Sequence, residues 1–213
     1  LTDKAKVIWS FSVTTDIALS FAHKIYKLYF MDINHLVKIT ARAWCLTILA
    51  RLHQGVPGRQ AALLAETGAG RTAFGQSLGH LIALGVLERN PGHGHPLRPE
   101  YRLTPIGTEA ARIADQIERA TPQTAETTLL RRAWTVPVLA VSGQPRSFTQ
   151  IKSTLPEVTD RALSQSLKNL QEHAWIARDV KDDSHPPRAS YQAVGTGLDI
   201  SRAIDLNAAS ARL

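Results

Sequence analysis

The apolar positions of this chain fall into one pattern that occurs twice. Phe74, Leu78 and Leu81 stand at i, i+4 and i+7, the spacing that puts three side chains on one face of a helix. Leu163, Leu167 and Leu170 repeat it 89 positions later. Each stripe is followed by a short run that reads as a strand, Val86–Arg89 in one case and Trp175–Val180 in the other. A turn-rich stretch and a return strand come next, Glu100–Thr104, which alternates apolar and polar, and Ala189–Ala193. Such runs predict two antiparallel strands joined by a loop.

Upstream of the first stripe, Leu36, Val37, Ile39, Trp44, Leu46, Ile48, Leu49 and Leu52 predict a buried helix over Asn34–His53. Gly55-Val56-Pro57-Gly58 stops it, Arg59–Glu66 reads as a second short helix, and Thr67-Gly68-Ala69-Gly70 is the turn into a third, Arg71–Leu84. Gly85 lies where a left-handed helix terminator is expected. Thr108–Glu118 reads as a closing helix. Three helices, a two-stranded wing and a helix make a winged helix-turn-helix. In the second half, Pro137 must open or kink the first helix. Pro145-Arg146-Ser147-Phe148 starts the second helix, Pro156-Glu157-Val158-Thr159 is the turn, and Thr159 is a suitable cap for the third.

The repetition extends to the letters. Arg71–Arg89 and Asp160–Arg178 share Gln-Ser-Leu at 76–78 and 165–167 and an arginine at 89 and 178. Arg42-Ala43-Trp44 returns as Arg132-Ala133-Trp134, and His95-Pro96-x-Arg98-x-x-Tyr101 as His185-Pro186-x-Arg188-x-x-Tyr191. A period of about 90 residues suits a duplicated small domain. The expected class is mainly α with small β wings, as two tandem winged helix-turn-helix domains over 31–118 and 129–213, joined by a linker at 119–128. Residues 1–30 differ in composition: they hold four lysines, no arginine, glycine or proline, and precede the chain's one methionine, Met31. They are expected to be a leader outside the native protein, with translation starting at Met31. The alternative is a helical arm, since Ile17, Phe21, Ile25 and Leu28 recur at helical spacing.

With these residues in view, the chain resembles the HxlR-type winged-helix regulators, relatives of the MarR-type ones. That pattern opens its first helix on Trp-Thr, continues with Gly-x-x-Arg-Phe and a Leu-x-x-x-Leu-x-x-Leu helix, and ends its wing in Pro-x-x-x-Tyr-x-Leu-Thr-x-x-Gly. The first copy keeps Trp44, the helix stripe, Arg89, Tyr101-Arg102-Leu103-Thr104 and Gly107, and lacks the Arg-Phe element. The second keeps Trp134-Thr135, an expanded Arg146-Ser147-Phe148, Pro187, Tyr191 and Gly197, and loses Leu-Thr. The resemblance covers roughly residues 42 to 205. It implies a DNA-binding regulator and, because such domains usually dimerise, a chain that fuses both halves of the dimer.

Charge points the same way. A formal charge of +7 and a pI near 9.9 favour a polyanionic partner, double-stranded DNA before a membrane surface. No apolar run reaches the ~20 residues needed to cross a bilayer. A single cysteine, Cys45, excludes an intramolecular disulfide and fits a cytoplasmic, nucleoid-associated protein; beside Trp44 it reads as a small core residue before a redox switch. There is no glycine-rich phosphate loop, nucleophile elbow or paired His-Glu metal motif, so no catalytic residue, cofactor or metal is expected. His93 and His95 lack further ligands at metal-binding spacing.

The candidate site is therefore the two third helices and the wings. Opposite the apolar stripes lie Thr72, Gln76, Gly79 and Ala83, with Arg71 at the entrance and His80 on the flank. Their counterparts are Arg161, Gln165, Lys168 and Glu172, with Ser164 and Asn169 alongside. Gln can pair with adenine and Arg with guanine through two hydrogen bonds, each worth ~1–3 kcal/mol of discrimination. The same positions would also be polar on any solvated helix. Arg98, Lys181 and Arg188 in the wings are expected to reach phosphate or a narrow minor groove. Gly75 and Gly79 inside a helix would be explained by close approach to another backbone, of a neighbouring helix or of DNA, or equally by drift of the first copy from base reading toward a packing role. Helices entering successive major grooves, ~34 Å apart, would occlude polymerase, so repression is expected, at an imperfect or non-palindromic site. A tandem winged-helix scaffold subunit and a plasmid replication initiator are the rival readings. A further homodimer through Thr108–Glu118 stays open.

Overall fold

The computed structural model describes residues 32–90, 99–121, 125–181 and 188–204, with the backbone alone for Lys181 and Arg188. The leader at 1–30 and the wing residues His93, His95 and Arg98 lie outside the described residues.

The first half runs α1 (Ile33–Thr40), α2 (Cys45–His53), α3 (Gln60–Thr67), α4 (Arg71–Ala83), β1 (Leu87–Asn90), β2 (Glu100–Leu103) and α5 (Pro105–Ala120). The second runs from a 3-10 helix (Ala125–Arg131) through α6 (Thr135–Val141), β3 (Arg146–Ser147), α7 (Phe148–Thr154), α8 (Asp160–Glu172), β4 (Ile176–Lys181) and β5 (Arg188–Ala193) to α9 (Thr196–Ala203). The molecule is mainly helical with small antiparallel sheets, as in a winged-helix fold.

The continuous apolar pattern of 34–53 covers two helices. Both bury one face, so periodicity alone shows no break between them. At the break the Thr40 hydroxyl turns back toward the carbonyls of Leu36 and Val37 and also lies 2.9 Å from the carbonyl of Ala133 in the second half. Pro137 opens α6 without kinking it. It is the third helical residue, within the first turn whose N–H groups have no intrahelical acceptor. The closing helix begins earlier than its apolar stripe, at Pro105, with the Thr104 hydroxyl accepting from Gly107 N–H as cap. Within the stretch read as linker, α5 reaches Ala120 and the 3-10 helix takes over at Ala125, burying Leu129 and Leu130.

The wings share one register. Arg89 stands opposite Tyr101 and Leu87 opposite Leu103; Arg178 stands opposite Tyr191 and Ile176 opposite Ala193. A third strand, β3, pairs with β5 in the second half, and its place in the first is taken by a single bridge between Arg59 and Glu100. Behind each wing the same two hydrogen bonds close the turn. Val86 N–H donates to Leu81 O and Thr104 N–H to Val86 O; Trp175 N–H donates to Leu170 O and Val194 N–H to Trp175 O. Gly107 and Gly197 press against those same carbonyls, of Val86 and Trp175, so closely that a Cβ at either would overlap backbone.

One buried apolar cluster runs through both halves, from Leu36 to Ile204. Helix α1 packs on α6 and α5 on α9, so each half lends a helix to the other. The Arg131 guanidinium lies over the Trp44 ring at 3.9 Å.

Candidate nucleic-acid interface

Helices α4 and α8 are both thirteen residues long and are held the same way. Phe74, Leu78 and Leu81 are buried on α4, and Leu163, Leu167 and Leu170 on α8. Burying three such side chains stabilises each helix against its half by several kcal/mol, at roughly 1.5–3 kcal/mol apiece, and so fixes which face is left for solvent.

On α4 the solvent face is Arg71, Thr72, Gly75, Gln76, Gly79 and Ala83, all exposed. His80, on the flank, is half-buried, and its Nε2 bonds the Lys38 carbonyl at 2.8 Å, tying α4 to the end of α1. Of the backbones that could approach the two glycines, a packed helix is ruled out among the described residues: a Cβ at Gly75 or Gly79 would meet nothing within 4 Å. No neighbouring helix among the described residues requires them.

On α8 the exposed positions are Arg161, Ser164, Gln165, Lys168 and Glu172. Asp160 in its first turn pairs with Lys152 of α7, and a carboxylate there also suits the positive end of the helix dipole. Gln165 donates to Asn169 Oδ1 at 3.0 Å. Lys168 sits 3.9 Å from Glu172, an exposed pair of little energetic weight. Arg161 has no ion-pair partner among the described residues. Thr159 caps the helix through Ala162 N–H, whereas Gly70 offers α4 no side-chain cap.

Of the candidate wing residues, Lys181 and Arg188 are placed by backbone register alone. Lys181 and Arg188 are the last paired residues of β4 and β5, opposite one another at the wing tip. One feature escaped the sequence reading. Asp115, on α5, is buried, accepting from Gln54 Nε2 at 2.7 Å and pairing with Arg119 at 2.7 Å. Its signal was available: Asp115 and Glu118 follow Ala111 at i+4 and i+7, in phase with the apolar stripe. Cys45 is the core residue its setting predicts: its thiol is buried, donates toward Ser77 O at 3.6 Å, and has its pKa pushed up to about 12 by that burial. A thiol that stays protonated and buried is a core residue, not a reactive one.

Among the described residues no helix is long and apolar enough to cross a membrane. A family model described as HxlR-like helix-turn-helix matches residues 129–208. No match is found among curated proteins. Among solved structures, the chain is similar to a protein of Porphyromonas gingivalis W83 assigned to the MarR family, with 20% identity over 42% of this chain and 88% of that one, at a TM-score of 0.36. The reduced form of the transcriptional regulator YodB from B. subtilis is 22% identical over 43% of this chain and 90% of that one, TM-score 0.36. The diamide-treated form of YodB is 21% identical over 43% and 94%, TM-score 0.33. Residues 129–208 thus carry an HxlR-like helix-turn-helix.

Proposed function

We propose that this chain is a double-stranded DNA-binding transcriptional regulator built as a tandem duplication, in which both halves are winged helix-turn-helix domains and α4 and α8 are the two recognition helices. The observation that carries this is the paired geometry of those helices. Two helices of equal length are pinned by equivalent apolar stripes, backed by wings of equal register, and show polar faces to solvent. The HxlR-like match over 129–208 supports the second half directly; the first half is assigned by its likeness to the second.

In this reading Arg161, Ser164, Gln165 and Lys168 read base edges on one half-site. Arg71, Thr72 and Gln76 meet the other, where the two glycines let the helix sit close to the DNA backbone. Lys181 and Arg188, with Arg98, hold phosphate or a minor groove. The packing of α1 on α6 and of α5 on α9 takes the place of a dimer interface, so one chain presents both readers. The faces differ, and an imperfect or non-palindromic operator follows. Occupancy of that site blocks polymerase, which makes repression the mode of action.

The test is fluorescence anisotropy on DNA selected from random sequence by the full chain, repeated across salt. Arg161→Ala should lose roughly 1–3 kcal/mol on the selected site and relax base choice on one half only. Arg188→Ala should weaken binding to all sequences alike and flatten the salt slope by about one unit. Salt-independent binding, or no selected sequence at all, would turn the assignment toward a scaffold subunit.

A further inference from the structure

A cavity of about 110 Å³ opens at the seam where the 3-10 helix of the second half meets α2, α3 and α5 of the first. Leu46 and Leu130 give it apolar wall, and Thr47 and Thr67 give it hydroxyls. Three charged side chains line it as well: Arg51, Arg131 and Glu118.

Those charges are arranged unevenly. Arg51 is occupied, donating to Glu118 at 3.0 Å, to Gln54 at 2.7 Å and toward the Glu66 carbonyl at 3.4 Å. The Arg131 guanidinium carbon lies over the Trp44 ring, 3.9 Å from its centre, a cation–π contact that consumes none of the guanidinium N–H donors. Arg131 makes no hydrogen bond among the described residues. Two guanidinium groups against one carboxylate leave the walls one positive charge in excess. That excess balances a monoanion and under-compensates a dianion such as phosphate. The volume is somewhat below that of an engineered apolar cavity that takes up benzene, so the occupant has at most about six non-hydrogen atoms.

The cavity touches the recognition machinery. Thr67 is the last residue of α3, and Gly70, three residues on, is the N-cap of α4. Arg51 links α2 to the end of α3 and to α5. Whatever engages Arg51 and Arg131 together bridges the second half to the turn that sets α4.

We propose that this seam cavity is an effector site for a small monocarboxylate, bound between Arg51 and Arg131 with its carbon chain on Leu46 and Leu130, and that its occupancy changes the affinity of the chain for DNA. The second clause rests on the DNA-binding reading; the first does not. Calorimetric titration of the full chain with sodium butyrate, at ionic strength held constant with sodium chloride, tests the site without DNA. Sodium phosphate is the comparison probe. The expected result is one saturable butyrate site per chain and at least tenfold weaker phosphate binding. Arg131→Gln should weaken butyrate at least tenfold. Ala43→Phe, which fills the cavity mouth from an exposed lining position and removes no contact, should abolish binding with an unchanged melting temperature. No saturable butyrate binding, phosphate binding as tightly as butyrate, or equal binding to all three proteins would overturn the site. Anisotropy on the selected DNA should then show an affinity change of threefold or more with saturating butyrate for the wild type and none for Ala43→Phe. Butyrate that binds and leaves DNA affinity unchanged would overturn the coupling while leaving DNA binding itself intact.

Discussion

Helices α4 and α8 keep the same inward stripe and differ at most outward positions, with Gln76 and Gln165 the outward pair they share. Both keep the stripe, the length, the wing register and the carbonyl that receives a close-packed glycine. Outside, α4 shows Thr72, Gly75, Gln76 and Gly79, where α8 shows Arg161, Ser164, Gln165 and Lys168. The inward contacts are constrained by packing density, since even one methylene is felt in a filled interior. Outward positions carry no such constraint, so their divergence records what each helix meets in solution. The same holds at the helix ends. Gly85 and Ala174 both have positive φ, 69° and 54°, yet only the first is the residue type that adopts it without strain.

The comparison is tested most severely at the two buried glycines. Gly107→Ala and Gly197→Ala each force a methyl onto backbone, and each should lower unfolding free energy by about 2–3 kcal/mol in urea denaturation. A large loss at one and none at the other would show that the two wing junctions are not equivalent. On the outward face, Gly79→Lys copies α8 onto α4. Nothing blocks the side chain, so stability should rise by up to about 1 kcal/mol through helix propensity. The salt slope of DNA binding should steepen by about one unit if the new ammonium reaches phosphate. Weaker binding would instead mean that the DNA backbone needs the glycine. Ala174→Gly should stabilise by roughly 1 kcal/mol and Gly85→Ala destabilise by a similar amount, both through the cost of left-handed backbone. Matched thermal melts would check the pair.

The smallest effect concerns Glu118. Burial raises its carboxyl above the ordinary range, partly offset by Arg51 and by Thr47. A group whose folded pKa is raised favours the folded state most at pH below its unfolded value. That contribution declines as pH rises through the folded pKa. Arg51→Met removes the largest offset, so the Glu118 carboxyl should titrate higher still by NMR. A downward move would mean that burial is not the main cause.

The stripes at 74–81 and 163–170 and the positive-φ glycine at 85 were legible because each depends on a few neighbouring residues. The Thr159 cap was legible for the same reason. Most of the outward face followed at once, since a helix with one buried stripe has only one opposite side. Other features could not be read locally. The partner of His80 is a carbonyl 42 positions away. The Thr40 hydroxyl at the helix break meets the Ala133 carbonyl of the second half, and the openness around Gly75 and Gly79 is a property of what does not pack there.

The order of residues by itself therefore determined the elements, their buried sides and the twofold pattern, because periodicity, caps and turn residues act over a few positions. Tertiary structure alone decided how the halves share helices, that Arg131 comes to rest on Trp44, and that a charged cavity lies between them. Those outcomes depend on contacts between residues tens of positions apart, and no local propensity encodes such distances.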